Sequence, residues 1–296
     1  MARTRLRGLE IGGIQIGIEV PENCEWEWPD GPVADFQCLP REPEVHVGVR
    51  VGEVGREDLG GECYAVGAWT FEVARRGSDW LLGLSHSGRR VQLALFDRDF
   101  RTGEVTLSHE TATARTFPLC GPLDEWIVLH RSVARGGLFL TGSALADDGQ
   151  AVLQLGVPSA RTANRWTTPS TSLLGRNAVL VREDRGQLRM FRTPWSGSID
   201  PRLGYETRVR EFQRIEDTQH AYTDLLDPDD AADLLVTHAV VPLCDEGLLD
   251  RVLQNAQRLA ARARVLEIGE AGDFRAPMEW RSLQLQGAFA PPRSSP

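Results

Sequence analysis

The stretch Ala151-Val-Leu-Gln-Leu-Gly156 runs into Val-Pro-Ser159-Ala-Arg161-Thr162-Ala163-Asn-Arg165-Trp166. A short apolar run that opens at a glycine into a loop is where a nucleotide-binding chain places its phosphates. In the pattern G-x-x-x-x-G-K-[ST] the second glycine lets backbone N–H groups close on the phosphates. The lysine then reaches the outer phosphates and the hydroxyl holds Mg²⁺. Counted from Gly156, those three positions are Arg161, Thr162 and Ala163, and none suits its role. By pattern alone this is not a phosphate loop. Arg161 and Arg165 would grip an anion at the same place as guanidinium forks; the plainer reading leaves them facing solvent.

The other residues that could carry chemistry are scattered. Asp147-Asp148 and Asp227, Asp229 and Asp230 are acidic clusters of the kind that bind divalent ions, but turn and helix N-terminal roles account for both. The six histidines form no H-x-x-x-H pair, and His130 reads as a packed or solvent-edge residue of a helix. Ser143 and Ser159 have no evident base, so no triad is arguable. Five cysteines, Cys24, Cys38, Cys63, Cys120 and Cys244, are odd in number and show neither a C-x-x-C pair nor metal spacing, which reads as free thiols in a reducing compartment. No metal site is expected.

A chain of 296 residues with a net charge of −9 argues against a nucleic-acid partner, which wants a basic face. All 33 basic residues are arginine, so no lysine serves as phosphate anchor, Schiff base or general base. Arg3, Arg5 and Arg7 look like the start of a signal segment, but glycines and Gln15 interrupt the apolar run behind them. No run reaches the ~18 apolar residues of a membrane span. The expectation is a cytoplasmic protein without membrane insertion.

Positioning elements follow from periodicity. Ile14, Ile16, Ile18 and Val20, then Val45, Val47, Val49 and Val51, then Trp69, Phe71 and Val73, then Val91, Leu93 and Leu95 alternate at period two, so each set predicts one face of a strand. Trp26 and Trp28 read as core or edge packing. From Pro122 to Ala134 apolar residues recur at three and four, and Gly136-Gly137 ends the helix. Strands are expected over 138–145 and 151–155, a hairpin over 178–192 around Asp184-Arg185-Gly186, and a tight loop at Thr193-Pro194-Trp195-Ser-Gly197. A helix starts at Asp227-Pro228. A second carries Leu248, Leu249, Val252, Leu253, Ala256, Leu259, Ala260 and Ala263 on one stripe, and a strand spans Val265 to Ile268. The Pro/Ser-rich tail from Pro291 is expected to fray.

In serial order, Pro122-Leu-Asp-Glu-Trp-Ile-Val-Leu-His130, Arg135-Gly-Gly-Leu-Phe-Leu140, the strand into Gly156, Leu174-Gly-Arg-Asn177 and Thr193-Pro-Trp-Ser-Gly197 resemble the HPr kinase-related family. Its members share the fold of HPr serine kinase and phosphoenolpyruvate carboxykinase. The resemblance covers about residues 90–270 and includes the C-terminal helices and closing strand. The departures are systematic. The family histidine falls on Thr141, the loop's Gly, Lys and Ser/Thr on Arg161, Thr162 and Ala163, and the two family acids on Arg176 and Asn177. Without the lysine, hydroxyl and acids, phosphoryl transfer loses its positioning and charge neutralisation.

The resemblance therefore implies a mixed α+β (α/β) protein. A β-rich N-terminal part over 1–118 is expected to pack on an HPr kinase-like core with C-terminal helices over 119–285, followed by a flexible tail over 286–296. It implies an inactive pseudo-enzyme without cofactor that acts as a protein-binding, scaffold or regulatory subunit, its partner being another protein or a second copy. The alternative is a rewired ATP-dependent phosphotransferase that uses arginine in place of the loop lysine. Trp195 is expected to be mostly buried and to anchor the hairpin 178–192.

Overall fold

The computed structural model describes residues 4–22, 24–55, 58–147, 149–156, 172–195, 205–218, 220–241 and 245–271. At 66, 147, 172–178, 217, 270 and 271 it describes the backbone alone. The protein is mixed α+β and rich in strand, with two mixed sheets and few helices. It divides into two compact units, the described part of one lying within residues 1–131 and that of the other within 132–278.

The first unit is a nine-stranded sheet made of β1 (Thr4–Ile11), β2 (Ile14–Pro21), β3 (Gln37–Cys38), β4 (Val45–Val51), β5 (Glu62–Val66), β6 (Trp69–Arg76), β7 (Asp79–His86), β8 (Arg89–Phe96) and β9 (Thr102–Leu107). Their order is β3-β1-β2-β4-β9-β8-β7-β6-β5. The pairs β2–β4 and β4–β9 are parallel, and the rest are antiparallel. Arg5 and Arg7 thus sit on a paired strand. Ile14, Ile16, Ile18 and Val20 are all buried, as the alternation requires, each contributing about 1.5–3 kcal/mol of apolar burial.

On β8 the expected face is reversed. Gln92, Ala94 and Phe96 are the buried residues, while Val91, Leu93 and Leu95 are only half-buried. The register explains this, since Phe96, Ala94 and Gln92 stand opposite Trp80, Leu82 and Leu84 of β7. Gln92 tolerates the interior because its amide donates to Pro118 O at 2.8 Å and accepts from Cys120 Sγ at 3.3 Å.

Helix α1 (His109–Thr113) is capped by Ser108, whose hydroxyl accepts from Thr111 N at 3.2 Å. Helix α2 (Leu123–Ala134) lies where the apolar spacing places it. Its residue Trp126 packs 5.6 Å from the Phe71 ring, and His130 stacks on Phe100 at 4.2 Å. His130 Nδ1 meets Trp126 O at 2.8 Å, so it is a packed histidine. Trp26 is buried against Trp28 and Phe117, with ring centroids 4.5 and 5.1 Å away. Arg131 is buried and held by Glu44, with Nη1 donating to Asp99 O at 2.9 Å; a buried cation needs such partners.

The second unit contains β10 (Leu138–Asp147), β11 (Gln150–Leu155), β12 (Ser172–Asp184), β13 (Gln187–Phe191), β14 (Glu206–Thr218), β15 (Tyr222–Leu225) and β16 (Val265–Ala271). The order β11-β10-β12-β13-β14-β16-β15 is supplemented by a parallel β11–β14 pairing, so five strands close a ring. The β12–β13 hairpin turns through Arg185 and Gly186, both at positive φ (50° and 75°). This is the geometry whose twist suits a two-residue hairpin, and glycine adopts it without strain. Helix α3 (Pro228–Thr237) is capped by Asp227, whose carboxylate accepts from the N–H groups of Asp229 and Asp230 at 3.0 Å. Helix α4 (Glu246–Ala260) buries Leu248, Val252, Asn255, Ala256, Leu259 and Ala260. Leu249 and Leu253 belong to a different ridge, 37% and 41% exposed. At 100° per residue they rotate off the stripe they were assigned to.

Glu125, in the first turn of α2, is buried beside Asp124, and burial first and the Asp124 charge second push its pKa up to about 8 from 4.5. The folded chain therefore holds a proton that the unfolded chain releases, so this contribution is complete below about pH 4.5 and is lost as pH rises through about 8. Replacing Glu125 by Gln should flatten that dependence. Against wild type, the variant's melting temperature at about pH 9 is expected to be several degrees higher, with little difference near pH 5. Parallel melting curves at both pH values test this.

Candidate functional site

β11 ends at Gly156, which takes φ +83° and turns the chain away. Its N–H donates to Thr141 O at 3.2 Å. Beyond this point the edge of β10 that β11 occupied is taken over by the residues after α3. Thr141 N donates to His238 O at 2.8 Å, Val240 N donates to Phe139 O at 2.7 Å, and Leu140 bridges Ala239. That exchange brings the His238 ring beside Gly156. A Cβ built on the glycine would lie 3.4 Å from Cε1 of the imidazole.

The hydroxyl of Thr141 is engaged. Oγ1 donates to His238 O at 3.0 Å, which leaves it no free proton for a ligand. His238 itself is half-buried, and burial first and the Arg214 charge second hold its pKa below the ordinary value. Arg214 is in turn tied to Glu216 and to Glu267 at 3.3 Å. At neutral pH the imidazole is uncharged, an acceptor rather than a cation.

From this end a polar row runs across the sheet. Ser143 stands opposite Gln154, and Gln154 opposite Gln213. All three side chains are at least nine-tenths buried. Ser143 Oγ, both amide atoms of Gln154 and Gln213 Oε1 meet no hydrogen-bond partner among the described residues, while Gln213 Nε2 donates to Glu211 Oε1 at 2.7 Å. Buried polar atoms cost about 1–3 kcal/mol each when unmet, and a run of them in register is rare in a structural interior. The row holds neutral donors and acceptors that can orient a polar group. On its other side Ser143 faces Arg176 in register, and Gly142 faces Asn177.

Of the loop residues singled out in the sequence, Gly156 is placed as described. Ser159, Arg161, Thr162, Ala163 and Arg165 lie outside the described residues, as does Gly197. Arg176 and Asn177 are described by backbone alone. In the Thr193-Pro194-Trp195 segment, Thr193 and Pro194 are the buried members. Trp195 is half-buried, with its ring 5.7 Å from that of Phe139. Sequence reasoning passed over Gln154, Gln213 and His238. Two glutamines in otherwise apolar strands were the available signal, whereas nothing in the spacing linked His238 to Gly156.

Compared with protein-family models and with curated proteins, the chain finds no match.

Because Trp195 is half-buried, Trp195→Ala should cost about 1–3 kcal/mol, less than the 3–5 of a fully buried tryptophan. Urea unfolding checks this; a loss under about 0.5 kcal/mol would mean that the contact with Phe139 carries no stability.

Proposed function

We propose that the chain is a degenerate member of the HPr kinase-related fold that has lost phosphoryl transfer and acts by binding a protein partner or a second copy of itself. One observation carries the reading. Backbone pairing sets Gly156 against Thr141, and Gly142 and Ser143 against Asn177 and Arg176, so these positions come close together carrying residue types unlike the family's. Thr141 stands for the imidazole and is closed on a backbone carbonyl. Arg176 and Asn177 stand for the carboxylates, beside Ser143 and Gly142.

Mg-ATP, the reactant such a fold implies, does not fit this donor set. A cation needs carboxylate oxygens, and a guanidinium at Arg176 repels one. No step is derived through it. The surviving scaffold, and the ridge of Leu249 and Leu253 exposed on α4, support a binding role over a chemical one.

A second reading rests on His238. A neutral imidazole beside Gly156 would accept a proton from a hydroxyl substrate, with Arg161 gripping the phosphates in place of lysine. This makes a rewired phosphotransferase the alternative.

Thermal melting in millimolar Mg-ATP separates the two, because a ligand specific for the folded state must raise the midpoint. The proposal expects no shift that depends on Arg161. A rise of several degrees that Arg161→Ala abolishes, with ADP formation from ATP lost in His238→Ala, would overturn it in favour of the phosphotransferase.

A further inference from the structure

At the turn end of the β12–β13 hairpin lies a cavity of about 470 Å³ lined by Glu183, Gly186, Arg208, Arg210, Arg262 and Arg264, among others. Four guanidiniums gathered in one hollow stand out in a chain whose net charge is −9. Among the described residues two acids answer them. Glu183 pairs with Arg262. The buried Glu211 lies 3.8 Å from Arg210 and 3.7 Å from Arg264, too far for a hydrogen bond to either. Among the described residues two positive charges therefore remain uncompensated, and the forks of Arg210 and Arg264 keep their donors.

The backbone is shaped to hold them there. Ala151 faces Val209 and Val152 faces Glu211, so Arg210 is the extra residue of a β-bulge, a device that re-aims side chains near sites. Arg208 stands directly opposite Arg189, a like-charge pairing that costs stability, and it makes no ion pair among the described residues. Arg189 has Glu206 and Asp184, and Arg208 lines the cavity.

We infer that this cavity binds a dianionic phosphoryl group, carried either by a small phosphate ester or by a phosphorylated side chain. A phosphate monoester carries about −1.5 to −2 at neutral pH and presents three acceptor oxygens, which matches the uncompensated charge and the planar forks. A single carboxylate answers only half of it. The site is separate from the Gly156 end and stands whether or not the proposed loss of phosphoryl transfer is right.

The test is calorimetric titration at low salt with O-phosphoserine, inorganic phosphate, citrate, a phosphoserine peptide and its unphosphorylated form. Phosphorylated probes should bind and the unphosphorylated peptide should not. The double variant Arg208→Gln/Arg210→Gln should weaken binding at least tenfold without lowering the melting temperature, since it relieves the Arg208–Arg189 repulsion, Glu211 keeps Arg264 and both substituted residues are on the surface. Free phosphoserine binding as well as the peptide identifies a small ester as the source; peptide binding at least tenfold tighter identifies a modified protein segment. Absence of heat with every phosphorylated probe, tighter binding of citrate, or unchanged affinity in the double variant would overturn the inference. The same variant separates this site from the first, because any Mg-ATP shift that it removes arises here and not at Gly156.

Discussion

Every N–H and C=O of a buried strand must find a partner, and in the second unit the demand falls hardest on β10. Its two edges are filled by three different segments. β12 covers one edge throughout, β11 covers the other as far as Gly142, and the residues following α3 complete it. Gly156 can turn away because His238 and Val240 arrive to take the next hydrogen bonds. The placement of His238, the engagement of Thr141 and the entry to the loop beyond Gly156 all follow from that substitution of one segment for another.

The polar row across β10, β11 and β14 depends on the same strands. One face of the ring is apolar: Leu138, Leu140, Ala144, Leu153, Val179, Val181 and Phe212 are all buried. The row through Ser143, Gln154 and Gln213 occupies the alternate positions, and it too is withdrawn from solvent. Strands buried on both faces read as continuous apolar runs, so a glutamine at the centre of Ala-Val-Leu-Gln-Leu is the departure that mattered.

Much of the architecture was legible because it rests on local rules. The alternation of Ile14 to Val20, the recurrence along α2, the Asp227-Pro228 start of α3 and the Arg185-Gly186 turn each announce themselves within a few residues. What escaped depends on partners distant in sequence. β8 alternates correctly, but which face is buried was decided by its register with β7. β14 was missed altogether. The bulge at Arg210 sets Val209 and Phe212, three positions apart, on one face, which breaks the alternation a strand would show. The arginine cavity draws on β14, the hairpin turn and the approach to β16, which no window of sequence joins.

The ring closed by β11 and β14 also has a consequence for synthesis. As the chain emerges, β10 and β11 can pair at once, and β12 and β13 can pair soon after, since both are hairpins. The outer edge of β11 waits for β14, which is made only after both. Until then that edge offers unpaired backbone groups alongside Gln154, a template that another nascent chain can copy strand to strand. Parallel closure across so many residues is also the slow kind of contact to form. The same pairing that leaves the finished ring without a free edge at β11 makes its unfinished form the most adhesive state the chain passes through.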